Sequence, residues 1–204
     1  MIRYKTPSIN GVFSLLSLKK SAEASGMNTS FSFSEPCIRF AQLTEVEPLE
    51  KLVNSAYRGD SSRKGWTTEA DLLDGIRTNQ EQLKQQISGS HSTMLIYEDT
   101  NKQPIACVYL ENKENTLYLG MLTVQPDFQA EGIGKKLLQA AEEYAVWLGK
   151  HAIQMTVISV RAELIAWYQR RGYQLTDKKE KFPTDTAFGI PKQALEFVVL
   201  IKPL

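Results

Sequence analysis

Histidine and cysteine are scarce in this chain of 204 residues: two histidines, His91 and His151, and two cysteines, Cys37 and Cys107. Common zinc sites draw most of their ligands from these two residue types, so no metal centre is expected. Two cysteines are also too few for a disulfide framework. No run of about 18 apolar residues occurs, which argues against a membrane span. Neither sign of charge dominates. Twenty-four basic residues face 23 acidic ones, for a net charge of +1, and no basic block stands out. A nucleic-acid partner is therefore not expected. What remains is an ordinary globular composition, 42% hydrophobic and 23% charged, which suits one domain of ordinary size with a tail. No internal repeat is present.

The first residues outline a secretory signal: basic "MIRYK", apolar "GVFSLLSL" and the A-x-A-like triplet Ala22-Glu23-Ala24. Lys19 and Lys20 interrupt that outline and serines dilute its apolar core. The reading adopted is a serine-rich flexible tail over 1–36, or a start mis-assigned upstream of Met27, followed by one domain over 37–204.

Past the tail, helical and strand patterns alternate. "CIRFAQL" (37–43) reads as a strand. A helix over 44–59 follows, with Thr44 as N-cap and Glu47 three residues on. A second helix is expected over 65–76, where Thr68 is a candidate cap and Leu72, Leu73 and Ile76 share a face. After a break near Arg77, 79–87 extends it. Three strands come next, at 93–99, 105–112 and 116–124, separated by turn signals. Ile133, Leu137, Leu138, Ala141, Ala145 and Leu148 recur at helical spacing and Gly149 ends that helix. A strand (152–159), a short helix (162–173) closed near Gly172, and strands at 173–177 and 194–204 complete the order. The fold class is α/β (α+β), a mixed sheet with helices on both faces.

The chemistry-bearing stretch is "VQPDFQAEGIGKKLL", Val124 to Leu138, between a strand and the strongest helix. A dinucleotide fingerprint needs a third glycine where Leu137 stands. A P-loop needs Gly-Lys-Ser/Thr, but Lys135 and Lys136 follow Gly134. What remains is Q-x-x-G-x-G, from Gln129 to Gly134. Glycines let the backbone approach a bulky anion, and the helix-start N–H groups then point at it. Lys135 and Lys136 add charge.

This stretch resembles motif A of the GCN5-related N-acetyltransferases, the GNAT superfamily. "VISVRAELIAWYQRRGYQL" is similar to motif B, with Tyr168, Gly172 and Tyr173 in register. Together the two motifs cover about 117–175. The resemblance implies a GNAT fold: six or seven mostly antiparallel strands, with a central parallel pair splayed to admit acetyl-CoA. It implies a cofactor-binding set of Leu122, Thr123 and Val124 along the pantetheine arm and Gln129, Ala130, Glu131, Gly132, Ile133, Gly134 and Lys135 around the pyrophosphate, with Ser159 and Arg161 at motif B. Arg161 stands where many members have asparagine, and Leu164 where alanine is common, so an asparagine contact to the pantetheine arm does not carry over; Arg161 could instead reach a phosphate or pair with a carboxylate.

Acetyl transfer to an amine needs a neutral amine, a polarised thioester carbonyl, an acid for the thiolate and close positioning. The resemblance makes Tyr168 the general acid. The strand before motif A offers Gly120 and Met121 where some members carry a glutamate, so the base stays open between Glu69, Glu111 and a water relay. The acceptor region is expected at 57–77, with Arg63, Trp66 and Glu69 as substrate-binding candidates. The expected activity is a cytoplasmic N-acetyltransferase acting on a small-molecule or peptide amine. A catalytically idle acyl-CoA sensor is the rival. No membrane partner is expected, and homodimers are common in the family.

Overall fold

The computed structural model describes residues 31–183 and 189–204. The secretory outline and Met27 lie outside the described residues. The end of the expected tail does not. Ser34 donates from its N–H and its hydroxyl to Glu143, and Glu35 pairs with Lys136 at 2.9 Å.

Among the described residues there are nine strands: β1 (Ile38–Phe40), β2 (Leu73–Asp74), β3 (Ser92–Glu98), β4 (Pro104–Asn112), β5 (Thr116–Val124), β6 (Ala152–Ile158), β7 (Gln174–Lys181), β8 (Ile190–Pro191) and β9 (Glu196–Pro203). Five α-helices accompany them: α1 (Val46–Tyr57), α2 (Gly59–Ser62), α3 (Gln80–Ser88), α4 (Ile133–Trp147) and α5 (Ala162–Gln169). Seven strands form one sheet in the order β1-β3-β4-β5-β6-β9-β7, and β2 and β8 form a separate ribbon. Every pair is antiparallel except β5 and β6.

Both faces of the sheet are covered. Met94, Leu95 and Ile96 are consecutive on β3 and all fully buried, although alternate strand residues point to opposite faces. On one face Val46, Leu49, Leu52, Val53 and Ala56 of α1 and Leu83 of α3 pack on Met94, Ile96, Cys107 and Met121. Helix α4 contacts β3, β4, β5 and β6, burying the Ile133, Leu137, Leu138, Ala141 and Ala145 stripe read from the sequence.

The parallel pair is joined only at its start, Thr116–Tyr118 against Ala152–Gln154. Beyond Tyr118 the two strands separate. Within the separated part, Met121 and Leu122 of β5 together face Val108 of β4, since Cys107 pairs Thr123 and Tyr109 pairs Gly120. This is a β-bulge, a device that re-aims a strand beside a site. Met121 takes φ +51°, unusual for a non-glycine, and the Thr123 hydroxyl donates to the Met121 carbonyl at 3.0 Å.

Four expectations change. The helix over 65–76 does not form; turns and the short strand β2 stand there. Its backbone groups are claimed from outside: the carbonyls of Trp66 and Thr68 accept from Arg161, and the Glu69 N–H donates to the Tyr57 carbonyl. The capping contact at the entry to α1 lies two residues earlier. Leu43–Glu45 is a short 3₁₀ turn, and Glu45 accepts from the Gln42 N–H at 2.8 Å while pairing with Arg39. Residues 80–88 are a helix of their own, capped by the Asn79 side chain, which accepts from Gln82. Strand β7 runs to Lys181, past the expected end. It is an edge strand, and its exposed lysines suit an edge that must not pair further.

Candidate active site

The turn between β5 and α4 has the backbone of an anion cradle. Ala130 and Gly132 both adopt left-handed φ, +73° and +81°, so successive N–H groups converge on one concavity. Gly132 is the N-cap of a 15-residue helix whose first turn holds no acidic residue, which leaves the helix-start N–H groups and the dipole facing an anion. A Cβ built on Gly132 meets nothing within 4 Å. The glycine therefore serves the left-handed backbone.

A cavity of about 630 Å³ opens in front of this turn. Leu122, Val124, Gln129, Ala130, Gly132, Ile133, Gly134, Lys135 and Tyr168 all line it, as does Trp66. Lys64, Arg170 and Arg171 add to Lys135, and the single carboxylate in the wall among the described residues, Glu163, is paired with Arg161. The excess is cationic. Arg171 also stacks on Trp167, 3.5 Å from the ring centroid, and Trp167 lies 5.5 Å from Trp66. A flat, cationic-edged groove leading to an anion cradle fits a nucleotide with several phosphates, and coenzyme A is of that kind.

A second cavity, of about 330 Å³, lies against the first. Tyr57, Leu122, Leu164 and Tyr168 line both. The common wall thus sits beside the bulge, where β5 has left β6. The Tyr57 hydroxyl donates to the Leu122 carbonyl at 2.7 Å and holds the bulge at that wall. Burial pushes the Tyr57 phenol up to about 12. Tyr168 is 5% exposed. Burial, reinforced by the neighbouring phenols of Tyr57 and Tyr173, holds it well above the ordinary tyrosine range. A phenol so raised stays protonated at neutral pH, as an acid must before it donates.

Other candidates also have partners within the protein. The Gln129 side chain is engaged by protein: its Oε1 accepts from the Trp66 N–H at 3.0 Å, and its Nε2 donates to Thr67 Oγ1 and the Val124 carbonyl. Arg161 does not line the first cavity. Its guanidinium, 7% exposed, donates to the Trp66 and Thr68 carbonyls and pairs with Glu163. Gln129 and Arg161 therefore brace residues 66–68 from two sides. Lys136 is engaged by Glu35 and Tyr97, so Lys135 alone of the two brings its charge to the groove. Thr123 is buried under the bulge. Glu131 is exposed, and neither it nor Ser159 lines either cavity.

On the acceptor side, Trp66 belongs to the first cavity, while Glu69 lines the second and pairs with Arg58 at 2.5 Å. Arg63 is held by Asp71 on the surface, outside both cavities. Glu111 pairs with Lys113 and lines neither cavity. Sequence reasoning did not single out Tyr57 and Arg77, the two ends of the expected acceptor region, and missed Gln86 and Tyr118 in the second cavity and Trp167, Arg170 and Arg171 in the first. Tyr57 sits on the apolar face of α1, where a core tyrosine would have the same spacing. The Arg170-Arg171 pair next to an aromatic was the one usable signal.

The comparisons with known proteins bear on this arrangement. The fold is similar to solved structures of the ribosomal-protein-S18-alanine N-acetyltransferase from Escherichia coli (14% identity, TM-score 0.61, 81% of this chain and 92% of that one). It is also similar to a GNAT-family acetyltransferase from Staphylococcus aureus MU50 (15%, 0.60, 82% and 98%). A third similar structure is the PaiA N-acetyltransferase from Thermoplasma acidophilum in complex with coenzyme A (18%, 0.58, 82% and 98%). No curated protein matches the chain. At such identities the likeness carries the fold alone, but the acetyltransferase (GNAT) domain model matches residues 68–184, more than half of the sequence. With the splayed parallel pair and the cradle between β5 and α4, that match shows that the chain belongs to the GNAT acetyltransferase family.

Proposed function

We propose that this protein is an acetyl-CoA-dependent N-acetyltransferase that transfers an acetyl group directly to a primary amine of a small molecule or peptide. The observation that carries the reading is the pair of cavities meeting at Tyr57, Leu122, Leu164 and Tyr168. One suits a polyphosphate nucleotide and the other a small acceptor. Bound acetyl-CoA would supply the acetyl group as a thioester. The 130–134 turn and Lys135 hold its pyrophosphate, with Lys64, Arg170 and Arg171 facing the remaining negative charge. Tyr168 gives its proton to the departing sulfur, and the proton that the amine nitrogen releases as the amide forms restores the phenol through solvent. Tyr57, through the Leu122 carbonyl, fixes the bulged backbone that lines the transfer point. Juxtaposing two reactants lowers the barrier by several kcal/mol without any dedicated base.

The idle-sensor reading has one observation in its favour. The partly buried carboxylate in the second cavity, Glu69, is already paired with Arg58, and the other, Glu180, is exposed. One experiment separates the two. Acetyl-CoA should raise the melting temperature by mass action, about 2.7 kcal/mol of stabilisation at a hundred times Kd, and thiol release should appear with at least one amine in a broad panel. A melting shift without thiol release from any amine leaves the sensor. No shift at millimolar acetyl-CoA removes both.

A further inference from the structure

We infer that the second cavity takes an amine that also carries an acidic group, an amino carboxylate, and that Arg77 is the residue that selects it. The inference rests on the second cavity being the acceptor side. Among the described residues, the charges around that cavity are Glu69, Arg77, Arg161, Glu180 and Lys181. Glu69 is neutralised by Arg58 and Arg161 by Glu163. Glu180 and Lys181 are adjacent in sequence, opposite in sign and exposed, so solvent screens them. Arg77 is different. It is partly buried, and among the described residues no carboxylate pairs with it.

The arginine is also held in place. Its backbone N–H donates to Asn54 Oδ1 at 2.7 Å, and Asn54 Nδ2 donates in turn to the Thr78 carbonyl at 3.0 Å. Its guanidinium lies over the Tyr57 ring, 5.5 Å from the centroid, at the wall shared with the first cavity. A planar guanidinium with its fork of donors free, fixed on an aromatic, is suited to a carboxylate. The same cavity holds a complementary group. Gln86 Oε1 is buried and has no hydrogen-bond partner among the described residues, and an N–H of the acceptor would satisfy it. A fixed cation repels a linear polyamine, whose charges are all positive, and attracts the acid group of an amino carboxylate.

The test uses the full chain with a set of amino acids, each against its own carboxamide, and a linear diamine. Thiol release from acetyl-CoA and calorimetric binding to the coenzyme A-loaded protein are both read. The acids should be favoured by about ten-fold or more, the size of a charge-assisted hydrogen bond. Arg77→Gln should erase that preference and Arg77→Lys should keep part of it, while the acetyl-CoA melting shift of each variant reports that the first cavity is intact. The inference is overturned if the carboxamides or the diamine serve equally well, if Arg77→Gln keeps the preference, or if no acid binds. Arg77-dependent binding of an acid without thiol release would uphold the site and instead refute the transferase reading.

Discussion

Gly65 offers a severe test of how the two sides of the site are joined. Its φ lies outside the left-handed region, so alanine is allowed by the backbone. A Cβ there, however, would come within 2.7 Å of Gln129 Nε2 and 2.8 Å of its Oε1. The Gln129 amide could swing away only by giving up its bonds to the Trp66 N–H, Thr67 Oγ1 and the Val124 carbonyl. Three bonds at a net worth of roughly 1 kcal/mol each set an upper cost of about 3 kcal/mol. Partial relaxation brings the expectation to about 2 kcal/mol, or roughly 6 °C in melting temperature for a domain of this size. The assay is a double-mutant cycle by thermal and urea unfolding. Gly65→Ala should cost about 2 kcal/mol alone and under about 0.5 kcal/mol on a Gln129→Ala background, where the colliding amide is gone. Additive costs would refute the bracing of residues 66–68 by Gln129. Loss of acetyl-CoA affinity equal to the loss of stability would show instead that Gln129 acts mainly on the ligand.

Three further outcomes are expected. Tyr168→Phe should lower kcat by about 100-fold, the lower end of acid catalysis, with acetyl-CoA affinity kept; unchanged kcat would remove Tyr168 as the acid. Gly134→Glu puts a carboxylate at the helix start, where an anion is expected, and should abolish the acetyl-CoA melting shift; a retained shift would mean that the pyrophosphate binds elsewhere. Stability should decline on the alkaline side. The phenol of Tyr57 and the thiol of Cys107, ordinarily near 10 and 9, are both raised by burial to about 12. The unfolded chain therefore releases these protons first, and the stability present below about pH 9 is lost as pH rises toward 12. Urea midpoints measured from pH 8 to 11 check this, and a flat profile contradicts it.

Legibility differed along the chain for physical reasons. Helix α4 announced itself because its apolar stripe recurs every three to four residues, and the same residues are buried. Strands β3 to β6 were legible as apolar runs between turn signals. Residues 65–76 were misread because Leu72, Leu73 and Ile76 mimic a helical face. In the fold Leu73 pairs with Pro191 in a ribbon, and the preceding carbonyls belong to Arg161. Helix propensity is a weak prior against such claims from across the fold. The Arg39–Glu45–Glu98 cluster, which draws Glu45 out of α1, was equally invisible to local pattern.

The sequence by itself determined the features that depend on neighbouring residues: the glycine turn before α4, the helix-start N–H groups behind it, and the motif register that places Tyr168 four residues before Gly172. These follow from local sterics and periodicity, which a single stretch of chain contains. Only the tertiary structure decided how each polar side chain is employed. Gln129 and Arg161, expected as coenzyme contacts, also brace the 66–68 segment. Lys136 faces Glu35, and Arg77 lines a second cavity with no carboxylate paired to it among the described residues. A hydrogen bond or ion pair forms with whatever group the fold brings within about 3 Å, and that partner lies tens of residues away in the chain.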